Sequence, residues 1–128
     1  MTPATRPLTA RPPIVDVVID EDKLADLRAS LGGAALGMLI DLMLQDIPPR
    51  VKLILSAMVA SQPRLASRQA HALRGAASGI GACALADACS AIERLDPWAP
   101  SPVRFAWIAG QACDALRQRR DQLSTSSD

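Results

Sequence analysis

Apolar residues recur along this chain at intervals of three and four, the spacing that places side chains on one face of an α-helix. From Asp20, the positions Leu24, Leu27 and Leu31 form a first stripe, and Gly32-Gly33 ends it, which predicts a short helix over residues 20–31. A second stripe, Leu36, Leu39, Met43, Ile47, Val51, Leu55 and Met58, predicts a helix over residues 34–59. Pro48 and Pro49 fall inside it and lack the amide donors a helix interior uses, so a kink or brief break is expected there. Ser61-Gln62-Pro63 makes the next turn. Ala66, Ala70, Leu73, Ala77 and Ile80 then line one side of a third helix, residues 64–79. The fourth helix, residues 82–95, buries Leu85, Cys89 and Ile92, and a proline-punctuated loop over residues 96–102 follows it. The fifth, residues 103–123, presents Val103, Trp107, Gly110, Cys113 and Leu116. Residues 14–19 carry a short β-like run that reads as a lead-in. The pattern specifies an all-α chain: an antiparallel four-helix bundle with an additional short N-terminal helix. Trp98 and Phe105 are placed to close one end of it.

The margins set the domain limits. Residues 1–16, rich in Pro, Thr and Arg toward their start, read as a flexible tail or linker, residues 17–123 as the bundle, and residues 124–128 as a second flexible tail. The 128-residue length suits one domain, and a 49% hydrophobic content supplies its core. That core is built from alanine and leucine, with one phenylalanine and no tyrosine, so helices are expected to approach closely. Fourteen basic residues against thirteen acidic ones imply no general attraction to nucleic acid or to anionic lipid. No apolar run is long enough to span a membrane, and the opening residues lack the apolar segment of a secretory signal. Cys83, Cys89 and Cys113 fall on inward stripes without disulfide or zinc-ligand spacing, and read as buried small hydrophobes in a reduced, cytoplasmic protein.

Candidate chemistry narrows to one histidine. His71, the single histidine of the chain, lies roughly 130° from the centre of the third helix's apolar stripe and so faces outward. Ser67, Gly75 and Ser78 share its side, which leaves low relief around the ring. Arg74, three residues on, can bring a guanidinium beside the imidazole and hold an anion attached to it by charge-assisted hydrogen bonds. An exposed imidazole can attack an activated phosphoryl group and carry it as a phosphoramidate. Blander readings stand beside this one. His71 is then an ordinary polar surface residue, Arg74 ordinary surface charge, and Gly75 and Gly79 close-packing positions against another helix. A hydrolase triad lacks its nucleophile elbow, and the glycines of residues 75–82 lack the lysine and preceding strand of a phosphate-binding loop.

The segment HALRGAASGIGACALADACSAIE, residues 71–93, resembles the motif of histidine-containing phosphotransfer (HPt) domains. His71, Leu73, Arg74, Gly75, Ile80, Gly81, Leu85, Cys89 and Glu93 match it in order and spacing, and the resemblance extends over about residues 17–122. It implies a four-helix bundle that presents His71 as phosphoacceptor on its flank. It further implies Arg74 offsetting phosphate charge and Gly75 clearing the approach of a partner. The implied partners are response-regulator receiver domains, which supply the phosphoaspartate and the Mg²⁺; the chain itself carries no cofactor. Phosphoryl groups would pass from one receiver to another through a monomer without autonomous ATP-dependent kinase activity, without nucleic-acid or direct membrane contact. Histidine-kinase dimerisation helices fit less well, since they place an acidic residue after the histidine where this chain has Ala72. Departures from the motif are Arg74 for the commoner lysine, Ala76 and Ala77 for more polar residues, and the Pro48-Pro49 pair. The chain is also compatible with being the cytoplasmic domain of a hybrid sensor kinase anchored in the inner membrane. The competing expectation is a noncatalytic bundle that docks receivers or other proteins without carrying phosphate.

Overall fold

The computed structural model describes residues 17–125, and the tail expected over residues 1–16 lies outside them, as do residues 126–128 of the second tail. Five helices follow in order: α1 Glu21–Leu31, α2 Gly33–Val59, α3 Pro63–Gly79, α4 Cys83–Glu93 and α5 Pro102–Thr125. No strand occurs among the described residues, and Val18 and Ile19, from the β-like run, form a bend. α3 packs between α2 and α4, and α5 closes the bundle by packing on the same two helices, so α3 and α5 sit diagonally. α1 leans on α2. Its entry is fixed at both the side chain and the backbone: the Asp20 carboxylate accepts from the Lys23 amide at 3.1 Å, and the Asp20 amide donates to the Gly81 carbonyl at 2.8 Å. Gly81 permits this, because its φ is +80° and an added Cβ would stand 3.2 Å from the Asp20 carbonyl oxygen. At the other end Ser101 caps α5, accepting from the Arg104 amide at 3.2 Å ahead of Pro102 in the first helical position.

Three helices end alike. Past the last residue of α2, α3 and α4, the chain places Ser61, Gly81 and Leu95 in the left-handed region, with φ of 55°, 80° and 57°. In each, the left-handed residue's amide and the next amide turn back onto the final carbonyls: Ser61 and Gln62 onto Met58 and Ala57, Gly81 and Ala82 onto Ser78 and Ala77, Leu95 and Asp96 onto Ile92 and Ala91. This is the Schellman arrangement, which satisfies carbonyls a helix end leaves without partners.

The core is apolar throughout, with no buried polar or charged residue among those described. α3 contributes Ala66, Ala70, Leu73 and Ala77, with Ile80 just beyond, as the periodicity predicted; α4 contributes Leu85, Cys89 and Ile92, as predicted, together with Ala88. α2 differs in detail, burying Leu36, Ile40, Ile47, Val51, Ile54 and Ala57, while Leu39, Met43, Leu55 and Met58 are half-buried. α5 departs most. Its buried face is Phe105, Ala109, Ala112, Cys113 and Leu116, whereas Val103, Trp107 and Gly110, expected inward, are exposed. The fully buried Phe105 ring sets this register, and Trp107 instead carries the Arg104 guanidinium 4.8 Å over its ring. Trp98 is half-buried in the α4–α5 loop, with its indole nitrogen shielded and unpartnered among the described residues.

No break occurs at Pro48-Pro49: α2 is helical through both. Two ladder donors are lost, those facing the Leu44 and Gln45 carbonyls, yet Ile47, Val51 and Ile54 stay locked in the core on either side. The prolines are exposed and, with Val51, Leu55, Ala109 and Cys113, line an open apolar groove of about 580 Å³ between α2 and α5. Near the start of α2, Gly37 leaves room for Arg120, which donates to Asp41 at 3.0 Å and ties α5 to α2. α5 continues two residues past its expected end, and the Ser124 hydroxyl donates to the Arg120 carbonyl at 3.2 Å. Cys83 is corrected too: it is partly exposed at the first position of α4, its thiol 3.3 Å from the Gly81 carbonyl.

Candidate functional site

The apolar stripe of α3 faces α2 and α4, which turns His71 outward with 65% of its side chain exposed. Gly75, one turn on, is exposed as well, and a Cβ added there would meet nothing within 4 Å. The same holds at Gly79, so close packing against another helix of this chain explains neither glycine.

α4 supplies the rest of the site. It ends at Glu93, whose carboxylate reaches across to α3 and takes two partners. Its Oε1 lies 2.5 Å from His71 Nδ1, and its Oε2 lies 2.7 Å from Arg74 Nε. The latter contact is ionic, since the Nε–H is not aligned on an acceptor. A second guanidinium nitrogen of Arg74 stands 3.4 Å from His71 Nδ1. Ser67, one turn before the histidine, also bridges the two helices: its hydroxyl donates to the Glu93 backbone carbonyl at 2.6 Å.

The chemistry follows from those contacts. A carboxylate only accepts hydrogen bonds, so in the neutral ring its 2.5 Å contact assigns the proton to Nδ1, outweighing the longer 3.4 Å approach of the Arg74 guanidinium, which by itself would favour a lone pair there. Nδ1–H donates to Glu93. Nε2 then bears the lone pair, points away from the bundle and has no partner among the described residues. The hydrogen bond from His71 holds the Glu93 carboxyl below its usual value, partial burial opposes this, and the Arg74 charge lowers it further. Beneath the site, burial pushes the Cys89 thiol up to about 12, and the Glu93 charge adds to the effect, so this cysteine is no nucleophile.

The structure thus brings together His71 and Arg74 and leaves Gly75 as open surface beside them. Sequence reasoning gave Glu93 no role, although it closes the matched motif 22 residues after the histidine. Ser67 counted only as low relief. Helical phase does mark Ser67 on the α3 flank shared with Arg74, but its acceptor on α4 appears only in three dimensions.

The sequence model of the Hpt domain family matches residues 38–126, from the first turns of α2 to the end of α5. Among solved structures, the chain is similar to histidine-containing phosphotransfer protein B (HptB) from Pseudomonas aeruginosa PAO1. The TM-score is 0.73 at 21% identity, over 84% of this chain and 98% of that one. At that identity the likeness bears on the fold, which is the same helical bundle. No curated protein matches the sequence. The family match, on a bundle whose helix order and outward histidine agree with it, makes this chain a member of the Hpt domain family of histidine-containing phosphotransfer domains.

Proposed function

We propose that His71 accepts a phosphoryl group from the phosphoaspartate of one receiver domain and gives it to the aspartate of another. Family membership supports the broader role of histidine phosphotransfer in a phosphorelay, with receiver domains as partners. The observation that carries the residue-level reading is the Glu93 contact at Nδ1, which leaves a lone pair at the outward nitrogen. In the transfer, Nε2 attacks phosphorus in line, the bond from phosphorus to the aspartyl oxygen breaks, and the N–P bond forms. The ring becomes positively charged with its proton still on Nδ1, where the Glu93 carboxylate stabilises it. Arg74, already beside the ring, offsets the added phosphate charge. Gly75 gives the receiver's acidic pocket an unobstructed approach. In this reading the receiver brings the Mg²⁺ that the transfer uses. In this reading the domain works as a cytoplasmic monomer, freestanding or within a hybrid sensor kinase, and ATP is not its donor.

The test is incubation with phosphorylated receivers. Phosphate that is labile in acid and stable in base is expected on the wild type and absent from His71→Gln. Arg74→Ala is expected to keep the helical signal and to slow transfer about tenfold, the scale of one charge-assisted hydrogen bond. Label on His71→Gln would refute the assignment. Stoichiometric receiver binding with no label on the wild type would instead establish a docking bundle that carries no phosphate.

A further inference from the structure

We propose that Ser67 is a positioning residue for His71: its hydroxyl fixes the end of α4 so that Glu93 holds the imidazole proton on Nδ1 and leaves Nε2 free. The proposal rests on reading His71 as the phosphoryl acceptor. The first observation is where the Ser67 hydroxyl goes. A serine within a helix ordinarily turns back to a carbonyl of its own preceding turn. Ser67 instead crosses 26 residues of sequence to α4, at 2.6 Å.

The second observation is what it finds there. At the end of α4 the Ser90, Ala91 and Ile92 carbonyls accept from the amides of Arg94, Asp96 and Leu95. The Glu93 carbonyl is the next in line, and the left-handed turn at Leu95 carries the chain away without giving it an amide. Ser67 supplies the missing donor. The residue whose backbone it grips is the one whose side chain contacts His71 and Arg74. A terminal helix residue is the part of a helix most prone to fray, so its anchoring governs how steadily the carboxylate stands beside the ring.

The chemical consequence lies in the tautomer. Of the two neutral forms of a histidine side chain, the one protonated at Nε2 is favoured in water, and that form has no lone pair at the outward nitrogen. The hydrogen bond made by one ring nitrogen decides which form prevails. Loss of the Ser67 anchor therefore lowers the fraction of attacking rings, although Ser67 touches neither the imidazole nor the phosphate.

Because His71 is the single histidine, its ring nitrogens are read without assignment in the ¹⁵N-histidine-labelled full chain. Spectra taken in mild alkali, where imidazoles are neutral, are expected to show the Nδ1–H form in the wild type and in Ser67→Thr. A shift toward the Nε2–H form is expected in Ser67→Ala and in the near-isosteric Ser67→Cys, which keeps the packing should alanine loosen the helix. Phosphoramidate, a small donor that needs no docking surface, should label both variants about tenfold more slowly than wild type, a factor of the order set by one hydrogen bond. Wild-type tautomer and rate in both variants would overturn the proposal while leaving His71 as acceptor. A tautomer shift in the variants with no labelling of the wild type would instead remove the acceptor reading and leave the positioning role standing.

Discussion

Glu93 serves two partners with one carboxylate: it accepts from His71 Nδ1 through one oxygen and pairs with Arg74 through the other. Both contacts are stronger with the ionised form, which is why the carboxyl is held below its ordinary value of 4.5, first by the His71 hydrogen bond. The linkage has a definite sign. A group with a lowered folded-state value contributes stability above its unfolded value and loses that contribution as pH falls through the folded one. Urea midpoints of wild type and Glu93→Gln are therefore expected to differ at neutral pH and to converge as pH drops from about 5 to below the carboxylate range. A constant difference across that window would mean that the ionised carboxylate is not what Glu93 contributes. On the proposed reading, Arg74 also has two states, paired with Glu93 before phosphorylation and turned toward the phosphate after it.

The helix ends show how elements are stopped without the usual residues. Glycine occupies the left-handed position after α3, but serine and leucine occupy it after α2 and α4. A residue with a Cβ is disfavoured in that conformation by roughly 1–2 kcal/mol, part of which glycine loses again through its greater freedom in the unfolded chain. Ser61→Gly and Leu95→Gly are thus each expected to stabilise the fold by about 0.5–1 kcal/mol in urea titrations. Gly81→Ala should destabilise by about 1–2 kcal/mol or more, since it adds a close contact with the Asp20 carbonyl to the strained φ. The prolines of α2 show the reverse case, a local breaker overridden because the surrounding turns are pinned in the core. Sequence rules placed a turn at residues 61–63 and the end of the fourth helix at residue 95, but not the left-handed conformation of Ser61 and Leu95, because neither residue type favours it.

Across the whole molecule, the face that carries His71 and the packing depend on the same small side chains. Ala66, Ala70 and Ala77 are almost wholly buried where α3 meets its neighbours, and α3 must lie close to α4 for Glu93 and Ser67 to meet across the gap. Ala70→Val is expected to cost about 1–3 kcal/mol through overpacking, read as a lower urea midpoint. Cys89, in the same layer, reports on its integrity. Its buried thiol, pushed up to about 12, should resist alkylation at neutral pH in the folded protein and react once urea opens the bundle. Rapid alkylation of native Cys89 would contradict this packing. No helix among the described residues is long and apolar enough to cross a membrane.

The sequence by itself determined the number of helices, their order, and the outward position of His71. The reason is that α3 has one unambiguous apolar stripe, and its phase leaves the histidine a single direction. Arg74 and Gly75 were legible for the same reason, being fixed to His71 by helical spacing alone. Where two faces carry apolar side chains, as at the start of α5, periodicity could not choose. The choice fell to the volume of Phe105 in the core, which sent Val103 and Trp107 to the surface. Only the tertiary structure decided the chemistry of the ring. Glu93 and Ser67 act between two helices, and no spacing within one helix tells which nitrogen of His71 meets a carboxylate.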